Sequence, residues 1–412
     1  MEVRGKRLEK ANLSIGFQLL KWGDVMLKIV VLSMSFVLLS ATAMIGILPE
    51  IRDALGITQT QSELLATIPS ISMLLFVIIC DVIISKIGMK KTVIAGLLIT
   101  GFGGVMPLFN DTSYTYLLVS RFIFGAGKGL IFTPSVNYIS ILFDERERAT
   151  LIGFRSAVEL FGQSALTLLM GFLVVFSWSF SFIIKALFFV IAALVAWKIP
   201  EVDTNSNEKG STDSGGKIPL IVFPLALFVG IVALSGSMIA VRFPALATEI
   251  RGEGFNASFW VGVKPILGII AAALFGKLTA FLGKKLLYLG TLLLITSQLM
   301  IGFSNGNFGV LVVGFLLSAF VLGWIIPVII STISKLTNGK QQRLSTACTL
   351  ICANVGVFIM PFVVQELEII ARSTELAAPY PIAGAIISIS LVIIVITSNS
   401  KSFRAKVGLK NE

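Results

Sequence analysis

Long apolar runs separated by short polar stretches dominate this chain. A membrane-crossing helix needs about 20 mostly apolar residues. Twelve runs qualify, near 29–48, 64–84, 92–108, 116–142, 151–176 and 180–197, then 218–240, 259–275, 286–303, 310–333, 344–364 and 381–397. The fifth and sixth meet at FSWSFSF (176–182) with almost no loop. Between the sixth and seventh lies PEVDTNSNEKGSTDSGGK (200–217), rich in Ser, Asn, Asp and Gly, with nothing to bury. Such a stretch reads as a flexible cytoplasmic linker. The pattern predicts an all-α integral membrane protein. Its divisions are a tail over 1–28, a six-helix bundle over 29–199, the linker 200–217, a second six-helix bundle over 218–398 and a tail over 399–412.

Composition supports lipid as the main solvent. The 412 residues are 56% hydrophobic and 13% charged, with a mean hydropathy of +0.94. Soluble domains are nearer 45–50% apolar and about 25% charged. The net charge of +11 would suggest nucleic acid or anionic lipid if it were clustered on one face. Its distribution decides otherwise. With the N-terminus inside, 24 of the 33 Lys and Arg fall in cytoplasmic segments, and only Arg52, Arg251 and Arg372 in outer loops. The positive-inside rule then puts both termini in the cytoplasm of a cell-membrane protein. No nucleic-acid partner is needed.

The first 28 residues are basic and amphipathic and lack a small-residue cleavage site, so they read as a tail on the membrane surface. The chain has no histidine, which removes histidine triads and His-ligated zinc. Cys80, Cys348 and Cys352 lie inside apolar runs and read as buried thiols. No metal or cofactor is expected. The expected partners are a small-molecule solute and the lipid bilayer, with the protein a monomer.

The two halves resemble each other at a nearly fixed offset. Gly88 precedes Gly283 by 195 positions, Pro49 precedes Pro244 by 195, and Arg148 precedes Arg343 by 195. Pro69 and Pro265 differ by 196. Pro49 reads as ending the first helix and Pro244 as following the seventh. Repeated helical halves joined by a polar linker suit a transporter with its solute site between the halves at mid-membrane.

Several motifs resemble those of the major facilitator superfamily. GKLTAFLGKK (276–285) resembles that family's loop signature, with Ala280 where Asp is usual. DVIISKIGMKK (81–91) resembles its first copy, with Ser85 in the Asp position. RFIFGAGKG (121–129) resembles the fourth-helix motif, and FDERERATLIGF (143–154) the loop that follows it. The resemblance implies a loop that latches the halves in the outward-facing state. It carries that role onto Lys86, Gly88, Lys90, Lys91, Gly276, Gly283, Lys284 and Lys285. Asp81, one turn before the usual acid, is the candidate replacement for it.

GAGKG (125–129) looks like a phosphate cradle but is not one. A P-loop needs Gly-Lys followed by Ser or Thr, between a strand and a helix. Here Gly129 follows Lys128, and the run is a membrane helix. Gly125 and Gly129 instead have the small-xxx-small spacing that lets helices approach closely. Lys128 lies near mid-helix, and Arg121 is two turns earlier on nearly the same face. A charge there costs about 2.5–3.5 kcal/mol on insertion scales, and such groups face a partner or a wet cavity.

The basic groups within the spans are Arg121, Lys128, Arg155, Lys185, Arg242 and Lys264. The one deep acid expected is Glu159, four residues after Arg155 and within its reach. In the family's architecture all of these except Lys185 fall on helices around the cavity, and Trp324 and Asn354 join them as candidate solute contacts. The excess is positive, which favours an anion. The expected function is secondary transport of a small organic or inorganic anion, by rocking of two halves, coupled to a proton or counter-solute. Glu159 is the candidate proton carrier. The alternative is efflux of amphipathic or drug-like molecules. A polytopic membrane enzyme or sensor is remote: there is no nucleophile–base pair, no paired intramembrane carboxylates and no soluble sensing domain.

Overall fold

The computed structural model describes residues 25–202, 219–220, 222–283, 285–337 and 339–399. Most of both tails, the linker from residue 203 on and Lys284 lie outside the described residues. Among the described residues there is no strand. The α-helices are α1 Val25–Phe36, α2 Leu48–Leu55, α3 Gln59–Ile87, α4 Met89–Val105, α5 Tyr114–Leu142, α6 Glu145–Leu173 and α7 Leu187–Lys198. After the linker come α8 Val222–Arg251, α9 Ser258–Leu282, α10 Lys285–Gly302, α11 Phe308–Leu336, α12 Gly339–Ala371 and α13 Pro379–Asn399.

Ten helical stretches are long and apolar enough to cross a membrane. A bent pair, Val25–Phe36 with Ser40–Leu55, turns through 48° and supplies another span, and the shorter apolar helix Pro379–Val395 is compatible with a twelfth. The protein is therefore a multi-pass membrane protein. The sixth expected span begins as 3₁₀ helix, Phe180–Ala186, before α7. Pro244 lies inside α8, which continues to Arg251, rather than after the helix as expected. A proline removes one backbone donor without ending the helix here, and Thr248 Oγ1 bonds back to the Pro244 carbonyl one turn earlier at 2.9 Å.

Local chemistry fixes the helix ends. Thr58 and Gln61 form a reciprocal capping box at the start of α3. The Asp144 carboxylate accepts from the Glu147 N–H at 2.8 Å and starts α6 six residues before the expected boundary. Gly88 alone joins α3 to α4 at φ +87°, and Gly283 ends α9 at φ +54°. These backbone conformations strain any residue with a Cβ, which explains the repeated glycine of the loop motif.

The glycine run in α5 packs helices. A Cβ on Gly125 would collide with Ser72 and Pro69 of α3, and one on Gly129 would lie 2.6 Å from the Met73 carbonyl. Gly127 faces the other way, 2.5 Å from the Gly96 carbonyl of α4. Thus α5 is wedged between α3 and α4. Across the linker, α6 meets α9 and α3 meets α12. The close contacts between α6 and α9 involve 160–171 and 256–268. Leu168 meets Gly262, the Ser164 hydroxyl donates to the Gly262 carbonyl at 2.7 Å, and Asn256 Nδ2 donates to the Gly171 carbonyl at 2.5 Å. These residues lie toward the end of the molecule remote from the Gly88 and Gly283 turns. Toward those turns, Gly153 of α6 and Gly276 of α9 each have open space where a Cβ would sit.

Candidate functional site

Arg121 on α5 is 0% exposed. Its Nη2 donates to the Ala41 carbonyl at 2.7 Å and its Nε to the Leu65 carbonyl at 3.3 Å. Ala41 lies in the 3₁₀ segment Ser40–Ile47 of the first span, where the bend frees carbonyls from the α-helical ladder. The guanidinium also lies 4.8 Å from the Phe124 ring centroid. Arg121 therefore ties three spans together.

Lys128, two turns further along α5, is 6% exposed and lies within electrostatic reach of both Arg121 and Glu159. Arg155 and Glu159 pair along α6 at 2.9 Å, their side chains 13% and 15% exposed. The arginine also lies 5.4 Å from the Phe132 ring centroid on α5. The expected group of Lys128, Arg155 and Glu159 thus comes together where α5 and α6 face each other. Lys185, set apart by the sequence, is fully buried against the Phe124 and Phe182 rings, away from the inter-half contacts.

On the other side of the linker, Lys264 of α9 is half-buried, 4.6 Å from the Phe315 ring centroid. Phe315 in turn stacks on Phe243 at 3.8 Å. Trp324 donates its indole N–H to the Ala271 carbonyl at 3.0 Å, so its polar atom serves the α9–α11 contact. Asn354 donates to the Leu350 carbonyl of its own helix at 3.0 Å, leaving its carbonyl oxygen as the free end.

Glu159 is not the one deep acid. Glu63 of α3 is 0% exposed, and Arg242 of α8 is 1% exposed. Arg242 Nε lies 2.6 Å from Glu63 Oε1, and its Nη1 lies 2.7 Å from Glu368 Oε1 on α12. Glu63 falls just before the apolar run of its span and Glu368 just after, so hydropathy alone left them in loops. The helices α3 and α12 extend past the apolar windows and carry both carboxylates into contact.

A family model described as the Major Facilitator Superfamily matches residues 30–226. That stretch is the first half of the chain, whose landmarks the second half repeats. Over that stretch, just under half of its length, the chain is similar to the major facilitator superfamily. The hexuronate transporter of Bacillus subtilis (strain 168) is 25% identical over 282 residues, 62% of this chain. The matched stretch spans 66% of that relative's length, just under two thirds. Among solved structures, the inward-open xylose transporter XylE from E. coli superposes with a TM-score of 0.73 at 14% identity, covering 89% of this chain and 95% of its own. A bacterial homologue of the human lysosomal transporter Spinster, inward-facing and unoccupied, gives 0.66 at 14% identity, over 91% and 95%. At such identities these structures speak to the fold alone. The chain keeps both glycines of the resembling loop motif, Gly88 and Gly283, at positive φ. Asp81, the candidate replacement for the motif's acid, is exposed on α3.

Proposed function

We propose that this protein is a secondary transporter of a small organic anion, of the sugar-acid class, working by alternating access. The observation that carries the reading is the unspent positive charge within the spans. Among the described residues Lys128 and Lys264 make no ion pair, while Arg155 is matched by Glu159. In a low-dielectric surrounding an unmatched cation attracts an anion far more strongly than in water. The similarity to a hexuronate transporter supports a carboxylate-bearing solute. The polar edges of Arg155, Glu159 and Asn354 would meet its hydroxyls, and Trp324 and Arg121 would hold the walls.

The lysine-rich turns at Gly88 and Gly283 are taken as cytoplasmic, in the cell membrane. The halves touch toward the opposite end, so the conformation is read as inward-facing. Glu159 is the proposed proton carrier, because it is the carboxyl beside Lys128. Asp81, Lys86, Lys90, Lys91, Gly276, Lys284 and Lys285 are proposed to latch the cytoplasmic side when the protein faces outward.

The test is uptake into proteoliposomes, with hexuronates, other sugar acids, inorganic phosphate, neutral sugars and lipophilic cations as competitors. Competition by sugar acids is expected. Competition by lipophilic cations alone would replace this reading with efflux of amphipathic molecules. Proton-driven uptake that survives Glu159→Gln unchanged would remove Glu159 from the coupling.

A further inference from the structure

Arg242 holds two carboxylates at once, and they belong to different halves of the chain. Glu63 comes from α3, before the linker, and Glu368 from α12, after it. The contact lies where α3 begins and α8 and α12 near their ends, the end remote from the Gly88 turn. Each half also carries a second partner of its own. Glu63 Oε1 accepts from Gln59 Nε2 at 2.9 Å, and Gln59 Oε1 accepts from Arg52 Nη1 at 2.9 Å. Glu368 stays with Arg242 and is 23% exposed, in touch with water. Tyr380 of α13, the remaining ionisable neighbour in reach of Glu63 and Arg242, donates to the Met238 carbonyl.

We propose that Glu63, Arg242 and Glu368 form an exchangeable charge lock on the outer end of the transporter. The inference rests on the alternating-access reading above. When the outer end opens, Arg242 releases Glu63 and keeps Glu368. Glu63 keeps Gln59, with Arg52 behind it. Opening the outer end admits water to the Glu63 oxygen that Gln59 does not reach, and Arg242 keeps Glu368. Neither half then strands a charge away from both partner and solvent, the outcome that makes breaking a simple buried ion pair expensive. The lock therefore holds the outer end shut yet separates into two satisfied pieces.

The arrangement predicts opposite signs for two similar substitutions. Glu63→Gln weakens the tie between the halves and favours opening. Glu368→Gln leaves Arg242 dependent on Glu63 alone and favours closure. A merely structural ion cluster would weaken in the same direction whichever acid were removed.

Opening can be read from Thr67→Cys, which lies one turn beyond Glu63 on α3 and is 1% exposed. Cys80, Cys348 and Cys352 are replaced by Ser, and a membrane-impermeant maleimide is added to the outside of sealed right-side-out vesicles. The labelling rate follows the open fraction. Glu63→Gln is expected to raise it about tenfold or more, and Glu368→Gln to lower it several-fold. Glu63→Asp, which keeps the charge on a shorter arm, is expected to fall between wild type and Glu63→Gln and serves if the latter does not fold. Rates that move together, or not at all, overturn the lock. Anion uptake is measured in the same vesicles. Split rates without uptake would leave the lock standing and sink the substrate proposal; uptake without split rates would do the reverse.

Discussion

Arg121 and Lys128 lie two turns apart on α5 and meet different surroundings. Arg121 gives two donors to carbonyls of neighbouring spans. Lys128 has no ion pair among the described residues and keeps slight exposure. Leaving a buried polar partner unsatisfied costs about 1–3 kcal/mol, and a hydrogen bond to a charged group contributes about 1.5–3 kcal/mol. Arg121→Gln is thus expected to lower the thermal unfolding midpoint in detergent. Lys128→Met is expected to leave that midpoint near wild type and to reduce sugar-acid uptake about tenfold or more. A Lys128→Met protein that transports at the wild-type rate would exclude this lysine from the solute site. Sequence reasoning found both residues, since a cation inside an apolar run is conspicuous. It did not separate their roles, because the carbonyls of Ala41 and Leu65 come from distant stretches. Nor did it find Glu63, whose burial depends on how far α3 extends past its apolar window.

At the scale of the element, the glycines of α5 set how closely three helices approach. A side chain on Gly127 would overlap the Thr100 hydroxyl and the Gly96 carbonyl. Overpacking of this kind costs about 1–3 kcal/mol. Gly127→Val is expected to lower folded yield and unfolding temperature. Gly153→Ala, where a Cβ meets open space, is expected to lower neither, and to gain from better helix propensity. Equal losses in the two variants would mean that α5 does not depend on close approach. The small-xxx-small spacing was readable in the sequence. The alternation of Gly125 and Gly129 toward α3 with Gly127 toward α4 was not, because spacing gives a face but not the neighbour that fills it. The same holds for Asp81. Its substitution by Asn is expected to slow solute exchange if it latches the cytoplasmic turns in the outward-facing state, and unchanged rates would reject that role.

For the whole molecule, the count of Lys and Arg predicts which end faces the cytoplasm. A cysteine at Glu253, in the exposed turn between α8 and α9, is expected to react with an impermeant reagent added to intact cells. One at Lys86, beside the Gly88 turn, is expected to react only after the membrane is opened. The reverse pattern would invert the orientation and the conformational reading with it. The sequence by itself determined the membrane spans, the repeat and the surplus of positive charge, because each is a property of local composition and spacing along the chain. Tertiary structure decided which charges are spent. Arg121 is spent on backbone carbonyls, Arg155 on Glu159, and Arg242 on two acids brought from opposite ends of the sequence. Charge is local, but its compensation depends on which groups meet across 126 to 179 residues of chain, and only packing fixes that.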